Sequence, residues 1–364
     1  ESASSPGSMQ GSEKLTPGWN QADTCEWRID DGTLTLRPLG NGDSGELYSK
    51  PSWGSEFTHF AIEGTVTLSN DGNYGWDHLN GVLFSSCTSL ESVDLRGLRF
   101  GEDNYVNGFS GFFKMDWLED LPALRSITID SSFAYRYYGN QEKSPEFPGG
   151  SKFSRWVSSV DGIAYECDGY PSDVAATYTL QNASDVKGVW NQSESCLWKL
   201  DSDGQLTIKP QNGSEGVLSY DIGRGDDGSW LAFSSDIKSV VIKGIVKPHS
   251  NESGGDNSGP LFRNCSNLKT ADLSGVSTDN GNAPIDSSAF EGCTSLQSVT
   301  LGSAFVFAEG SAPRLPQNGA TYRWVSSVDG IAYECDGYPS GVAATYTLQE
   351  KGDVIGSWNQ SGTC

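Results

Sequence analysis

The sequence predicts a strand-dominated α/β solenoid built twice in tandem, and three observations carry that expectation. The run Arg155 to Gln181, RWVSSVDGIAYECDGYPSDVAATYTLQ, returns 168 positions later as Arg323 to Gln349, and its single difference is Asp173 replaced by Gly341. Between the opening and the closing segment of each copy lie short runs in which apolar and polar residues alternate, the mark of half-buried strands. Aromatic residues make up 11% of the chain, which has 44 glycines and only two methionines, a balance that suits a folded, turn-rich protein. Near-identity at a fixed offset makes the chain an array of one repeated unit.

Residues 1–18 are rich in Ser, Gly and Pro and read as a linker. A first module is expected over 19–189, a second over 190–357, and the truncated start of a third over 358–364. Each module opens on a β-hairpin. In CEWRIDDGTLTLRP the residues Trp27, Ile29, Leu34 and Leu36 take the inward positions around the turn signal Asp31-Gly32. In CLWKLDSDGQLTIKP the same places fall to Trp198, Leu200, Leu206 and Ile208.

Three short strands, expected to be parallel, follow in each module: 58–64, 90–97 and 124–130 in the first, and 237–244, 268–275 and 296–303 in the second. The last two of each set follow L-x-x-φ-x-φ, where φ is apolar, and the segments LFSSCTSL, LFRNCSNL and AFEGCTSL introduce three of them. This is a leucine-rich-repeat grammar, in which each unit supplies one strand and a return segment and buries its apolar side only by stacking. The strands recur every 28 to 34 residues, longer than the ~20 to 29 of that class, and the excess is assigned to insertions such as SNDGNYGWDHLNG and PHSNESGGDNSG.

The closing run sets Trp156, Val160 and Ile163 beside an Asp161-Gly162 turn, with Tyr165 continuing the alternation, so each module ends on a hairpin. A solenoid needs a terminal unit to cover its last apolar layer. Trp156, Tyr178, Trp324 and Tyr346 are expected to form that cap core; a sugar-stacking platform is the other use of such aromatics.

The A/L-F-x-x-C-x-x-L-x-x-φ-x-φ units, the opening W-x-φ-(x)-DG-x-L-T-φ hairpin and the closing P-S-x-x-A-A-T-Y-T run together resemble the BspA-like leucine-rich-repeat family of bacterial surface proteins, from about residue 19 to the end. Leu121 stands where the second module has Cys293, and the first strand of each module lacks the preceding F-x-x-C. The resemblance implies a secreted, multi-module protein displayed on a bacterial envelope, where it binds host or neighbouring-cell molecules.

Charge and motifs narrow the function classes. A net charge of -23 repels phosphate backbones, which argues against nucleic acid as a partner, and no apolar run reaches the ~20 residues of a bilayer span, so no membrane insertion is expected. No G-x-S-x-G, H-E-x-x-H or G-x-x-x-x-G-K-[ST] motif occurs, and His59, His78 and His249 lie in unrelated contexts. No catalytic residue, cofactor or metal is therefore expected. The acidic Gly-Asn loops, such as 41–46 and 251–257, lack calcium-loop spacing and read as solvated turns.

Eight cysteines occur without a C-x-x-C pair. Cys167 and Cys196, like Cys335 and Cys364, are 29 residues apart, and each pair is either a disulfide stapling the end of one module to the next Trp-Asn-Gln opening or two free thiols. Two surfaces are candidates for ligand binding. One is the open sheet face, where alternation turns Asp94, Arg96, Thr128 and Asp130 outward in the first module and Asp272, Ser274 and Thr300 in the second. The other is the loop FAYRYYGN with Tyr135, Tyr137 and Tyr138, which suits an extracellular protein or glycan partner, local packing onto the cap being the alternative. The expectation is a monomeric, non-enzymatic adhesion fragment of a bacterial cell surface. The alternative is a structural stalk spacing a distal domain, and a hydrolase would need an acidic cleft that no motif announces.

Overall fold

The computed structural model describes residues 16–69, 83–100, 105–106, 109–110, 118, 120–133, 136–138, 141–143, 147–148, 155–167, 169–171, 173–182, 187–220, 222–223, 229–249, 259–278, 285, 287–308, 310–316, 322–350, 352–353 and 356–361. The chain forms two compact units. Unit 1 is Glu1–Gly149 with Tyr170–Leu180, and unit 2 is Gly150–Gly169 with Gln181–Cys364.

Unit 1 begins with the meander β1 (Asn20–Ala22), β2 (Cys25–Asp30) and β3 (Thr33–Pro38), whose second turn is the Asp31-Gly32 pair named by the sequence. The chain then coils. It turns a corner into β4 (Ser44–Leu47), returns as β5 (His59–Ile62), turns into β6 (Thr65–Leu68), returns as β7 (Ser92–Asp94) and turns into β8 (Leu98–Phe100). A small hairpin of β9 (Tyr105–Val106) and β10 (Phe109–Ser110) precedes β11 (Ser126–Ile129), and another of β12 (Arg136–Tyr138) and β13 (Gln141–Lys143) follows it. Strands β3, β5, β7 and β11 pair in parallel, and so do β4, β6 and β8. This is a parallel β-solenoid whose turns carry two strands and a corner. The three parallel strands expected per module become four, because the second strand of the opening hairpin serves as the first rung.

Next in the chain come β14 (Arg155–Ser158) and β15 (Ala164–Tyr165), which belong to unit 2, and β16 (Ala176–Gln181), which closes unit 1 antiparallel to β11. Unit 2 continues with β17 (Asn191–Ser193), β18 (Cys196–Leu200), β19 (Gln205–Pro210), β20 (Glu215–Val217), β21 (Ser239–Ile242), β22 (Ile245–Lys247), β23 (Thr270–Leu273), β24 (Ser298–Leu301), β25 (Tyr322–Ser326), β26 (Ala332–Tyr333) and β27 (Ala344–Glu350). Here β19, β21, β23 and β24 are the parallel rungs, and β27 closes them antiparallel to β24 and to β25. The division into units thus falls inside the duplicated run and not at Trp190. Hairpin β14–β15 joins unit 2 because Ala164 pairs with Asn191 of β17.

Register decides what each sheet buries. Leu34, Phe60, Val93, Ile127 and Tyr178 stand side by side across unit 1, and Leu206, Val240, Ala271, Val299 and Tyr346 across unit 2, all buried. A one-residue slip would expose an entire row, so these ladders fix the register. The C-x-x-L segments are turns, not helices: Cys87, Cys265 and Cys293 point inward, and Leu90, Leu268 and Leu296 donate backbone hydrogen bonds to them at 3.0, 3.0 and 3.2 Å. Leu121 occupies the cysteine's place in unit 1, with Leu124 bonded back to it at 3.0 Å. Among the described residues helix is confined to 3-10 segments such as Leu39–Asn41 and Trp230–Asp236, so the expected α component is slight.

At the corners, glycines stack. Gly64 and Gly97 have φ of 76° and 85°, and a Cβ on Gly97 would lie 2.0 Å from the Gly64 carbonyl oxygen. Gly275 meets Gly244 in unit 2 in the same way, at 2.2 Å. One inward assignment fails: Ile29 is 38% exposed, whereas its counterpart Leu200 is buried. In unit 2 the hairpin β14–β15 extends the core past β17 through Ala164 and Val157, whereas among the described residues β1 carries no strand on its outer edge.

Candidate binding faces

The open face of each sheet is built by the alternate residues of the same rungs. In unit 1 the row is Thr35, Ala61, Asp94, Thr128 and Thr177, and in unit 2 it is Thr207, itself buried, then Val241, Asp272, Thr300 and Thr345. The sequence therefore brings Asp94 together with Thr128, and Asp272 with Thr300. It did not point to Thr177 and Thr345, which the antiparallel closing strands add to the rows: Thr128 and Thr177 share a hydroxyl hydrogen bond of 3.0 Å, and so do Thr300 and Thr345. A neighbouring row on unit 1 places His59 Nδ1 2.7 Å from the Ser92 hydroxyl.

The remaining expected residues do turn chemistry. Asp94 accepts from the Arg96 N–H at 3.1 Å and from the Arg96 guanidinium, and Asp272 accepts from the Ser274 N–H at 3.0 Å and its hydroxyl at 2.6 Å. Both are Asx turns that leave the strand. Asp130 does not face outward with Thr128; it seals a corner, accepting from Gly97 N–H at 2.7 Å, Ser132 N–H at 2.8 Å and Arg99 Nη1 at 3.2 Å. Burial works against its ionisation, but these donors outweigh that and hold its carboxyl below the usual range. Strict alternation placed Asp130 outward, but the strand ends at Ile129 and the chain turns there.

Tyr135 lies outside the described residues, and Tyr137 and Tyr138 belong to the short strand β12. In unit 2 the corresponding FVFAEG loop packs locally: Phe307 lies edge-on to Tyr338 at 5.4 Å, and Tyr338 lies against Tyr346 at 5.2 Å.

The aromatics of the duplicated run are interior. Trp156, Tyr178, Trp324 and Tyr346 are all fully buried. Tyr178 packs with Phe147 and Tyr170 in unit 1, while Trp324 donates its Nε1–H to the Pro316 carbonyl at 3.2 Å in unit 2. Burial, helped by the neighbouring Tyr333 and Asp329, pushes the Tyr346 hydroxyl up to about 12. The hairpin tips are alike in both copies: Asp161 and Asp329 each accept from a backbone N–H two residues on, at 2.9 Å, and from Tyr165 or Tyr333 at 2.6 or 2.8 Å. Val160 and Val328 at these tips are each 62% exposed.

Of the two alternatives for Cys167 and Cys196, the structure has no disulfide between them. Cys196 is a free, buried thiol turned toward Gly216, and burial raises it to about 12. Cys364 lies outside the described residues, and Cys335 accepts from Arg314 Nη2 at 3.5 Å.

What ties the duplicated hairpin to the following Trp-Asn-Gln triplet is a polar joint. Ala164 N–H donates to the Trp190 carbonyl at 2.8 Å, Glu166 N–H to Gln192 Oε1 at 3.2 Å, and Gln192 Nε2 to the Gly169 carbonyl at 3.0 Å. The second copy repeats it: Ala332 to Trp358 at 2.9 Å, Glu334 to Gln360 Oε1 at 3.2 Å, and Gln360 Nε2 to Gly337 at 2.8 Å. The recurrence of the W-N-Q triplet was the available sequence signal, but nothing in it singled out the glutamine.

Comparison with family models, with curated proteins and with solved structures returned no match to the chain. Among the described residues no group of His, Cys, Asp and Glu side chains is placed to hold a metal ion, and no helix is long and apolar enough to cross a membrane.

Proposed function

We propose that the chain is a non-enzymatic binding scaffold of the bacterial cell surface, made of two BspA-like leucine-rich-repeat modules that engage an extracellular protein or glycan. One observation carries the reading. Each solenoid presents a row of small polar side chains in strict register, Asp94, Thr128 and Thr177 on one and Asp272, Thr300 and Thr345 on the other. Rungs about 4.8 Å apart offer hydroxyls and carboxylates at a regular interval, which suits an extended polar ligand. The bacterial envelope as location follows from the sequence resemblance, and so does the leucine-rich-repeat assignment; the short parallel rungs support a solenoid.

The test is an array of glycans and matrix proteins probed with the chain. Saturable capture is expected, with at least a fivefold loss when Thr128→Val and Thr300→Val are combined. Capture that the double substitution leaves unchanged would overturn the assignment to this face. A spacer role is the second reading, favoured by the repeated Trp-Asn-Gln joint, and it predicts no capture on any array.

A further inference from the structure

We infer that the outer edge of the cap hairpin is an acceptor for Trp-Asn-Gln strands, and that it accepts the Trp19-Asn20-Gln21 strand of a second copy of this chain when its own is removed. The inference starts from the two joints. They share the same three hydrogen bonds to equivalent atoms, made by hairpins that are nearly identical in sequence.

The second joint isolates what docking requires. At the first, the Trp190 ring is covered by Lys199 and Lys209, which lie 5.0 and 4.3 Å from its centroid. At the second, the Trp358 ring is 85% exposed, yet the strand is seated by the same bonds. Ring burial is therefore not a condition of docking. The determinants are the backbone pairing at Ala332 with Asn359 and the glutamine side chain that reaches Glu334 and Gly337. A side chain opposite the glutamine would displace its amide from this seat: a Cβ on Gly169 would lie 2.0 Å from Gln192 Oε1, and one on Gly337 would lie 1.7 Å from Gln360 Oε1. This is strand addition with one side-chain reader.

The chain carries a third strand of this type. β1 has the same register to β2, Asn20 opposite Trp27, as β17 has to β18, Asn191 opposite Trp198. Asn191 and Gln192 are buried under the cap, whereas Asn20 and Gln21 are exposed. Trp19 is already in place, with Arg37 and Arg28 at 3.7 and 5.0 Å from its ring. β1 is thus a ready donor, and the occupant that fits it is a cap hairpin. Within one chain both caps are filled, and a tethered strand outcompetes a free one through its effective concentration. The intact chain stays monomeric for that reason.

Removing residues 354–364 empties the second cap while leaving every solenoid rung in place. Sedimentation of this shortened chain should show concentration-dependent self-association, a heterologous contact between the β1 edge of one copy and the cap of the next. Gln21→Ala and Gly337→Ala should each return the shortened chain to a monomer. Mixing the two monomeric variants should restore a one-to-one dimer, because one keeps a working cap and the other a working strand. That complementation also shows that neither variant is simply misfolded. A shortened chain that stays monomeric, association that survives both substitutions, or variants that fail to complement would overturn the inference.

Discussion

Tyr346 shows how an aromatic residue can be informative for structure and misleading for function. Its ring is fully buried, and its hydroxyl has no hydrogen-bond partner among the described residues. A sugar-stacking role needs an open ring face, which this residue lacks. Because an unsatisfied buried hydroxyl costs about 1 to 3 kcal/mol, Tyr346→Phe is expected to be neutral or stabilising in urea melts. Trp324→Ala should instead cost about 3 to 5 kcal/mol through the cavity it leaves. Glu26 provides the pH test. It is fully buried and accepts from Thr16 N–H at 2.8 Å, the Thr16 hydroxyl at 2.7 Å and Arg37 Nε at 2.9 Å. Burial alone would raise its carboxyl, but these donors prevail and lower it. Together with Asp130 and Asp329, also lowered, it gives stability that is present above the ordinary carboxylate range and lost as pH falls through the depressed values. Denaturation midpoints measured from pH 7 to pH 3 should fall in the acid limb, and Glu26→Gln should flatten that limb while costing about 2 kcal/mol at neutral pH.

At the scale of elements, the long-period signals were legible and the corners were not. The opening hairpins and the rungs follow from period-2 alternation, Asp-Gly turns and L-x-x-φ-x-φ spacing and lie where those patterns placed them, while the hairpins of the duplicated run form at their Asp-Gly turns but the first of them joins unit 2. The corner strands β4, β6 and β8 escaped because SGEL, TVTL and LRF are too short for a period to declare itself. Asp130 was misplaced for a related reason: alternation holds only while the strand lasts, and it lies one residue beyond. The joint was legible only as a recurring triplet, since a backbone bridge and an amide clasp leave no apolar pattern. The corner stack makes a sharp comparison. Gly97→Ala should destabilise by several kcal/mol, because its Cβ would meet the Gly64 carbonyl, whereas Gly54→Ala, with φ of 72° and nothing within 4 Å, should cost only the ~1 to 2 kcal/mol of left-handed backbone strain. Thermal melts of the two variants side by side would check this.

At the scale of the molecule, stability is local. Each rung touches its neighbours, and the core of unit 2 is one continuous cluster from Ala164 to Tyr346. Phe262→Ala, which removes the middle ring of the Trp230, Phe262, Phe290 stack, should weaken amide-exchange protection across β21, β23 and β24 while leaving the β5 and β7 amides of unit 1 unchanged. Equal loss in both units would refute that locality.

The glycine spine at the corners also bears on how such a chain can lengthen. A turn whose corner backbone touches the corner below has no room for an extra residue at that point, so growth there is quantised: a whole coil is added, or nothing is. In the return arcs the sequence between one rung and the next varies instead: Ser92 and Ser126 begin rungs 34 positions apart, their counterparts Thr270 and Ser298 only 28. Insertional mutagenesis of this protein should therefore recover viable grafts in the arcs and none between a rung and its corner strand, making the arcs the natural place to display a foreign epitope.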